Sequence, residues 1–271
     1  MSANTRIPGL LMRLHGIDVS KYDGVFLQVR ASLAPFVEPL LEELFVKNIF
    51  VNCRTGSYFA AMNEPYQFVS LALAGIPTPR TLTSGSGKNI ERVSGKISYP
   101  LLAKSFLGKE VQQSLVVSTE KELRLFVNSI KSNVDGFMLR EFIESDVATC
   151  VVIGEKVFAV KRKTKGEKVF EIAESVYYKP TDDEQKTALD AARALGFDIA
   201  RIDLARGRVV KVDPMVPWPA LDSVCSEVLE DHVASFFIEK IKQRGAKPNI
   251  VDDIIEVKNI FSKTIFSRFF K

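Results

Sequence analysis

Apolar positions follow two different periods in the N-terminal part of the chain. Short apolar, β-branched runs at 25–29 and 49–52 predict buried strands, whereas apolar positions spaced three to four residues apart over 35–45 predict an amphipathic helix. A second helix is predicted over 63–74, because Gly75 and two prolines after it give a stop signal. This strand–helix–strand–helix order predicts parallel pairing in an α/β layer.

The central part of the chain is rich in short apolar runs. They predict strands at 99–106, 114–118, 137–143, 149–154 and 156–163. The last two runs are joined by a tight turn at Gly154 and Glu155, which favours an antiparallel hairpin. Thr119 and Glu122 form a capping-box pair, so a helix is predicted to begin there.

The C-terminal part of the body repeats these signals. Thr181 and Glu184 form a second capping-box pair and predict another helix. The runs at 198–205 and 208–214 predict a hairpin, and a helix is predicted over 222–244.

Residues 251–271 have a separate pattern. Their apolar side chains recur every three or four residues, with lysines and arginines between them, at Ile254, Val257, Phe261, Ile265 and Phe269. This pattern predicts an amphipathic helix with an aromatic face. It fits a helix packed on its own body, a dimer contact or a helix lying on a membrane surface.

Composition excludes several classes of protein. The 271 residues are 46% hydrophobic and 26% charged, which is typical of a globular domain and not of a disordered chain or a coiled coil. No apolar run reaches about 18 residues, so no transmembrane helix is expected. The opening residues lack a signal-peptide pattern. The net charge of +4 is too small to predict a dedicated nucleic-acid binder.

Three widely spaced cysteines and two histidines limit the chemistry further. This set predicts free, buried thiols and excludes a disulfide framework, a zinc site or a histidine-rich metal centre. The expected location is therefore the cytoplasm.

Two local motifs resemble binding sites, but their residues favour ordinary surface turns. The GSGK run at 85–88 lacks the glycine and the Ser or Thr that a P-loop requires, since Leu82 and Asn89 occupy those positions. It therefore predicts a turn. The basic run at 161–165 is typical of a solvated hairpin tip. A nucleophile elbow, a zinc spacing and a Rossmann fingerprint are all missing from the sequence.

The order of the segments resembles the ATP-grasp superfamily, specifically the RimK-like glutamate ligases and their amino-acid-ligase relatives. The resemblance runs from about residue 22 to 244 and is carried by YDGVFLQVRAS, LALAGIPTPRT, YPLLAK, LREFIE and GFDIARIDLARGRVVKVDP, in that order. It implies an α/β fold of two α+β lobes around a nucleotide cleft, preceded by a shortened α/β N-terminal domain. The implied segments are 1–80 for that domain, 81–138 for the small lobe, 139–248 for the large lobe and 249–271 for the tail.

The resemblance also implies a chemistry. In this family ATP phosphorylates a carboxylate, and an amine then attacks the acyl-phosphate. It implies ATP and Mg²⁺ as cofactors and an amino acid or peptide, not identified by the sequence, as acceptor. The implied nucleotide-binding residues are Lys104 at the phosphates, the hinge residues Glu141, Phe142 and Ile143 at adenine, and Arg162. The implied metal ligands are Asp203 and Asp213, on adjacent strands of one hairpin.

The chain departs from the family pattern at four places. Lys211 and Asp213 replace the metal-binding Glu-x-Asn, which exchanges a carboxylate ligand for a cation. The phosphate-covering loop at 108–114 keeps one glycine. Asn63-Glu64 replaces Asp-Lys and removes a nucleotide-binding lysine. The acceptor loop is shortened to 170–179 and holds no arginine.

Two functions of different classes are therefore open. The first is an ATP-dependent carboxylate–amine ligase, in which Lys211 stands in for a metal charge. The second is a catalytically degenerate ATP-grasp scaffold that binds a nucleotide or a partner, such as a second copy or an active paralogue, through its C-terminal tail. A kinase-type ATP-grasp protein that phosphorylates a hydroxyl is a third.

Overall fold

The computed structural model describes residues 13–14, 17–18, 22–107, 110–130, 134–165, 168–169, 174–225 and 227–245. Its N-terminal part consists of β1 (Arg13–Leu14), β2 (Ile17–Asp18), β3 (Gly24–Val25), α1 (Ala34–Val46), β4 (Phe50–Val51), α2 (Ser57–Met62) and α3 (Glu64–Leu73). Strands β3 and β4 pair in parallel, as the strand–helix order predicted. The pairing is short, because β3 covers only the first residue of the predicted strand at 25–29.

A four-stranded antiparallel sheet follows, here called the small sheet. Its elements are β5 (Thr81–Ser84), α4 (Gly87–Ser94), β6 (Leu101–Leu107), β7 (Glu110–Val117), α5 (Glu120–Ser129) and β8 (Gly136–Glu141). The strand order is β5-β8-β6-β7. Along β6, Leu101 and Ala103 face a core formed with Ile90 of α4 and Leu123 of α5. Since side chains alternate along a strand, Lys104 lies on the opposite face of this sheet.

A five-stranded antiparallel sheet, here called the large sheet, completes the body. Its part of the chain contains β9 (Val147–Ile153), β10 (Lys156–Arg162), β11 (Thr164–Lys165), β12 (Lys168–Val169), β13 (Val176–Tyr177), α6 (Asp182–Ala194), β14 (Ile199–Ala205), β15 (Arg208–Asp213), α7 (Trp218–Asp222) and α8 (Leu229–Gly245). The sheet order is β13-β10-β9-β14-β15, while β11 and β12 form a separate two-residue ladder. The predicted hairpins β9–β10 and β14–β15 are both confirmed.

Helices cover both faces of the large sheet. All seven residues of β9 are buried, which explains why Thr149 is its only polar residue. Cys150 and Val152 face a core with Ala188 and Ala192 of α6, whose small side chains let the helix approach closely. Val151 and its neighbours on the other face pack with residues of α7 and α8. The polar residues described below lie on this second face.

The helices differ from the predictions in three places. Residues 84–88 are not only a turn, because α4 begins at Gly87, where an added Cβ would meet Val127 at 2.6 Å. The predicted helix over 222–244 is wrong at its start: α7 ends at Asp222, whose carboxylate accepts the N–H of Leu229 at the beginning of α8. Helix α2 was missed because it is short and its cap is remote in sequence.

That remote cap is the carboxylate of Glu38 in α1. It accepts hydrogen bonds from the N–H groups of Gly56 at 2.5 Å, Tyr58 at 2.8 Å and Phe59 at 3.2 Å, at the start of α2. Burial raises the pKa of Glu38, while the three backbone N–H groups oppose that rise. The side chain is only 5% exposed, so these donors have little access to water.

We expect Glu38→Ala to lower the free energy of unfolding by about 1–3 kcal/mol, because it leaves buried N–H groups without an acceptor. Urea unfolding monitored by circular dichroism would measure this. The exposed neighbour Glu42 on the same helix provides the control, and Glu42→Ala should change stability by less than about 0.5 kcal/mol. Equal effects of the two substitutions would contradict a capping role.

All three cysteines, Cys53, Cys150 and Cys225, are buried free thiols, as predicted. In the described ranges, no helix combines the length and the apolar character needed to cross a bilayer. The predicted tail helix lies outside the described residues.

Candidate active site between the two sheets

Lys104 projects from the small sheet and is held by a carboxylate of α3. Its Nζ lies 2.7 and 2.6 Å from the two carboxylate oxygens of Glu64. Arg140, on the adjacent strand β8, donates to the same carboxylate at 3.0 Å. Burial lowers the pKa of Lys104; Glu64 opposes this effect, and the nearby charges of Arg140 and Lys211 add to it. Lys104 shares its face of the small sheet with Arg140, which also donates to the carbonyl of Val210 in β15, so Lys104 lies on the side of the small sheet nearer the large sheet.

Helix α3 connects the two sheets at this point. The Arg140 guanidinium, which stacks 4.6 Å from the ring centroid of Phe68, also donates to the carbonyl of Val210 in β15 at 3.0 Å. One turn along α3, the Gln67 amide exchanges two hydrogen bonds with the backbone of Val212, at 3.2 and 3.3 Å. Helix α3 therefore ties the small sheet to β15 of the large sheet, and the region over this helix, between Lys104 and Lys211, is here called the cleft.

Asp203 lies in the centre of a polar cluster on the large sheet. Its Oδ2 lies 2.8 Å from Arg162, and its Oδ1 accepts from the Thr149 hydroxyl at 2.8 Å. Arg162 also donates to Thr149 at 2.7 Å, which closes a three-residue ring. Arg201 Nε approaches Asp203 to 3.6 Å. Asp203 is only 5% exposed, and the Arg162 side chain is mostly buried, so Arg162 does not belong to a solvated hairpin tip.

Asp213 is bound by its own set of donors. Its Oδ2 lies 2.8 Å from Lys211 and 3.1 Å from Arg201, and its Oδ1 accepts the N–H of Met215 at 2.9 Å. Burial alone would raise the pKa of Asp213, but Lys211, Arg201 and the Met215 N–H together hold it below its usual value.

Strand register explains why these residues share one face. Asp203 pairs with Lys211 and Arg201 pairs with Asp213 across the β14–β15 hairpin, and Asp203 pairs with Thr149 across β14–β9. Directly paired residues of an antiparallel sheet point to the same face. The structure thus brings Asp203 and Asp213 to one face, as the hairpin predicted, and Arg201 links their carboxylates.

The predicted magnesium ligands do not fit a divalent ion. Each aspartate already faces two cationic side chains, and the position of a third carboxylate belongs to Lys211. Throughout the described ranges, three or more His, Cys, Asp or Glu side chains are nowhere grouped so that they could hold a metal. The expected Mg²⁺ is therefore assigned no role in the reaction below.

The predicted adenine-binding segment lies where β8 ends. Strand β8 stops at Glu141, so the predicted strand over 137–143 is two residues too long. The N–H of Glu141 donates to the carbonyl of Arg80, and the N–H of Phe142 donates to Pro100. Any base bound here would have to use carbonyl oxygens or the N–H of Ile143. Glu141 also pairs with Arg208 of β15 at 2.7 Å, which places the segment beside the large sheet.

A cavity of about 460 Å³ lies elsewhere, against α4 and α5 of the small sheet. It is lined by Lys88, Arg92, Ser94, Gly95, Tyr99, Glu120 and Arg124. It contains none of the predicted site residues, so we place the candidate site in the cleft over α3.

Sequence reasoning missed three residues of this cleft. For Glu64 the sequence predicts only the absence of a nucleotide-binding lysine. Its ion pair with Lys104 depends on the tertiary fold, because the two residues lie 40 positions apart. Arg140 lies within LREFIE, the segment that resembles the hinge, but the resemblance implies no role for it. Arg201 had a usable signal, because a residue two positions before Asp203 on a strand must share its face.

The fold belongs to a known class of protein. A structure of the ATP-grasp ligase PsnB complexed with a minimal precursor superposes with a TM-score of 0.64 at 15% identity, over 83% of this chain and 80% of that one. The D-alanine–D-alanine ligase of Bacillus anthracis complexed with ATP gives a TM-score of 0.60 at 15% identity, over 83% and 82%. These two likenesses show that the chain has the ATP-grasp fold.

The family follows from the sequence matches. The model of the RimK-like ATP-grasp domain matches residues 66–211. A protein of Legionella pneumophila named probable alpha-L-glutamate ligase is 25% identical over 246 residues, which cover 86% of this chain and 80% of that protein. The chain belongs to the RimK-like ATP-grasp family. This confirms the predicted α+β ATP-grasp fold and the predicted class, an ATP-dependent carboxylate–amine ligase.

Proposed function

We propose that this chain binds ATP between the small and large sheets and uses it to join a carboxylate to an amine through an acyl-phosphate. The observation that supports the proposal is that α3 ties the small sheet to β15: Glu64 binds Lys104 and Arg140, and Arg140 also donates to the carbonyl of Val210, next to Lys211. The lobes proposed for this cleft are residues 81–138 and 139–248. The proposed boundary between residues 138 and 139 falls inside strand β8, which belongs to the small sheet. The position of this boundary therefore stays a prediction.

Lys104 and Arg140 are the proposed phosphate ligands of the small sheet. Both now share the Glu64 carboxylate, an anion in the place where phosphate oxygens would lie. A triphosphate that carries more negative charge would compete with Glu64 for these donors. Adenine would then lie beside the end of β8, next to Glu141, Phe142 and Ile143.

The proposed reaction has two balanced steps. A substrate carboxylate oxygen attacks the γ-phosphorus, the bond from that phosphorus to the bridging oxygen breaks, and ADP leaves. The amine nitrogen then attacks the acyl carbon, inorganic phosphate leaves, and the amine loses a proton to solvent. Arg162, Arg201 and Lys211 are the proposed partners of the negative charge that develops in both steps, because fixed cations beside the phosphates would stabilise it.

The proposed acceptor is an amino acid or a peptide amine. The name of the Legionella relative makes glutamate the first compound to test. Strand β13, at the edge of the large sheet and within the predicted acceptor loop, is more apolar than a glutamate site requires, since its Val176 and Tyr177 are 60% and 59% exposed. Tyr178 is oriented by a hydrogen bond to Glu184 and by Lys161 over its ring. A substrate with an apolar part next to its charged group would suit this surface.

The test is ADP release by the full chain with pairs of carboxylates and amines, including glutamate and glutamate-containing peptides. We expect ADP release to require both partners, and mass spectrometry to find a product joined by loss of water. A product that gains a phosphate on a hydroxyl would show a kinase instead. ATP binding without turnover across the panel would favour the non-catalytic scaffold.

A further inference from the structure

We propose that ATP bound in this cleft is held by fixed side-chain cations in place of a divalent metal ion. The cations are Arg201 and Lys211, supported by Arg162. This inference rests on the proposed function, because it specifies how the same cleft receives the triphosphate. It departs from the magnesium requirement that the family resemblance implies.

The first argument is that the aspartate oxygens are already occupied. Asp203 uses Oδ1 for Thr149 and Oδ2 for Arg162, both at 2.8 Å. Asp213 uses Oδ1 for Met215 and Oδ2 for Lys211 and Arg201, at 2.8 to 3.1 Å. A magnesium ion would need oxygens at about 2.0–2.1 Å in near-octahedral order. It could reach these oxygens only by displacing the Arg162, Arg201 and Lys211 donors from them.

The second argument is the balance of charge. Two carboxylates, Asp203 and Asp213, face three cations, Arg162, Arg201 and Lys211. The cluster therefore carries a net positive charge before any ligand enters. Such a cluster repels a divalent cation and attracts the phosphate groups of a nucleotide that carries none.

The third argument is that the cluster has donors to spare. Arg201 Nε is buried, and no acceptor lies within hydrogen-bonding distance of it among the described residues. The Lys211 ammonium is half-exposed and has one ion-pair partner, Asp213, in the described structure. An ammonium has three N–H donors, so it can bind a phosphate oxygen while it stays paired. The geometry thus provides both the charge and the hydrogen bonds that a bridging metal would provide.

The test is calorimetric titration of the full chain with ATP, once in EDTA and once in millimolar Mg²⁺. We expect the two dissociation constants to agree within about threefold, because the cations that hold the phosphates belong to the protein. Binding that is at least about tenfold weaker in EDTA would overturn the inference and leave the proposed function standing. No ATP binding in either buffer would overturn both.

Substitutions at Lys211 test the mechanism. Lys211→Glu restores a third carboxylate, so ATP binding in EDTA should weaken by about tenfold or more and should recover in Mg²⁺. Lys211→Gln removes only the cation and should weaken binding equally in both buffers. Since Lys211 is half-exposed, both variants should remain folded, with a lower melting temperature for Lys211→Glu, which places a like charge beside Asp213, and a melting curve would check this. Unchanged binding by both folded variants in EDTA would overturn the inference.

The matched control is Lys121→Glu, which makes the same charge change on an exposed residue in the first turn of α5. An acidic residue is well tolerated there because of the helix dipole. We expect its ATP affinity to equal that of the wild type in both buffers. An equal loss in this variant would assign the Lys211 effect to overall charge and would overturn the proposal.

Discussion

Replacing Asp203 by alanine is expected to lower the free energy of unfolding by about 3–5 kcal/mol, the largest stability effect we predict for this chain. Asp203 is 5% exposed, and it is the carboxylate shared by Arg162, Thr149 and Arg201. Its removal leaves Arg162, whose side chain is only 12% exposed, as a charge without its carboxylate partner. Chemical denaturation in urea would measure the loss.

The control is an aspartate whose ion pair is exposed to water. Asp190 lies 3.8 Å from Arg193 on the surface of α6, and Asp190→Ala should cost less than about 1 kcal/mol. A double substitution, Asp203→Ala with Arg162→Met, should recover part of the lost stability, because it removes the isolated charge as well. A loss below about 1 kcal/mol for Asp203→Ala alone would mean that water screens the cluster.

Lys104→Met is expected to weaken ATP binding by about 2–4 kcal/mol, roughly 30- to 1000-fold in dissociation constant. Lys104 is mostly buried, and its ammonium already makes two short bonds to a carboxylate in the place proposed for phosphate oxygens. Methionine keeps most of the volume and loses the charge. Stability should change little, because Glu64 keeps Arg140 as a partner. Titration calorimetry with ATP gives the affinity.

Two further variants separate phosphate binding from a structural role. Lys96→Met on the exposed surface should leave the affinity unchanged. Glu64→Gln should tighten ATP binding, because it removes the carboxylate that competes with phosphate for Lys104 and Arg140. If Lys104→Met binds ATP as well as the wild type, Lys104 is only the structural partner of Glu64.

Much of the fold could be predicted because local signals determine it. The Gly154 turn has a positive φ of 59°, which glycine adopts without strain, so the β9–β10 hairpin followed from its sequence. The Thr181 capping box forms with both of its hydrogen bonds. The prediction that Asp203 and Asp213 lie on adjacent strands of one hairpin is confirmed, and the register of β14 and β15 places them on one face.

The remaining features depend on contacts between residues far apart in the chain. The caps of α2 and α8 come from Glu38 and Asp222, which no short motif connects to those helices. The partner of Lys104 lies 40 residues away, on α3. The sequence predicted only that Glu64 removes a lysine which the family uses to bind the nucleotide. In the fold, the Glu64 carboxylate also binds two other cationic side chains, Lys104 and Arg140. The tail at 251–271 and residues 170–173 of the acceptor loop lie outside the described residues, so their predicted roles stay predictions.

The position of α3 has a consequence for the motion of the two sheets. The Gln67 side chain forms two hydrogen bonds with the backbone of β15. The Glu64 carboxylate binds Lys104 of β6 and Arg140 of β8. Helix α3 therefore contacts the large sheet through hydrogen bonds to the backbone of β15 and contacts the small sheet through ion pairs. A nucleotide that draws Lys104 away from Glu64 would loosen one of these ionic bonds, while the bonds from Arg140 to Val210 and from Glu141 to Arg208 would still join the small sheet to β15.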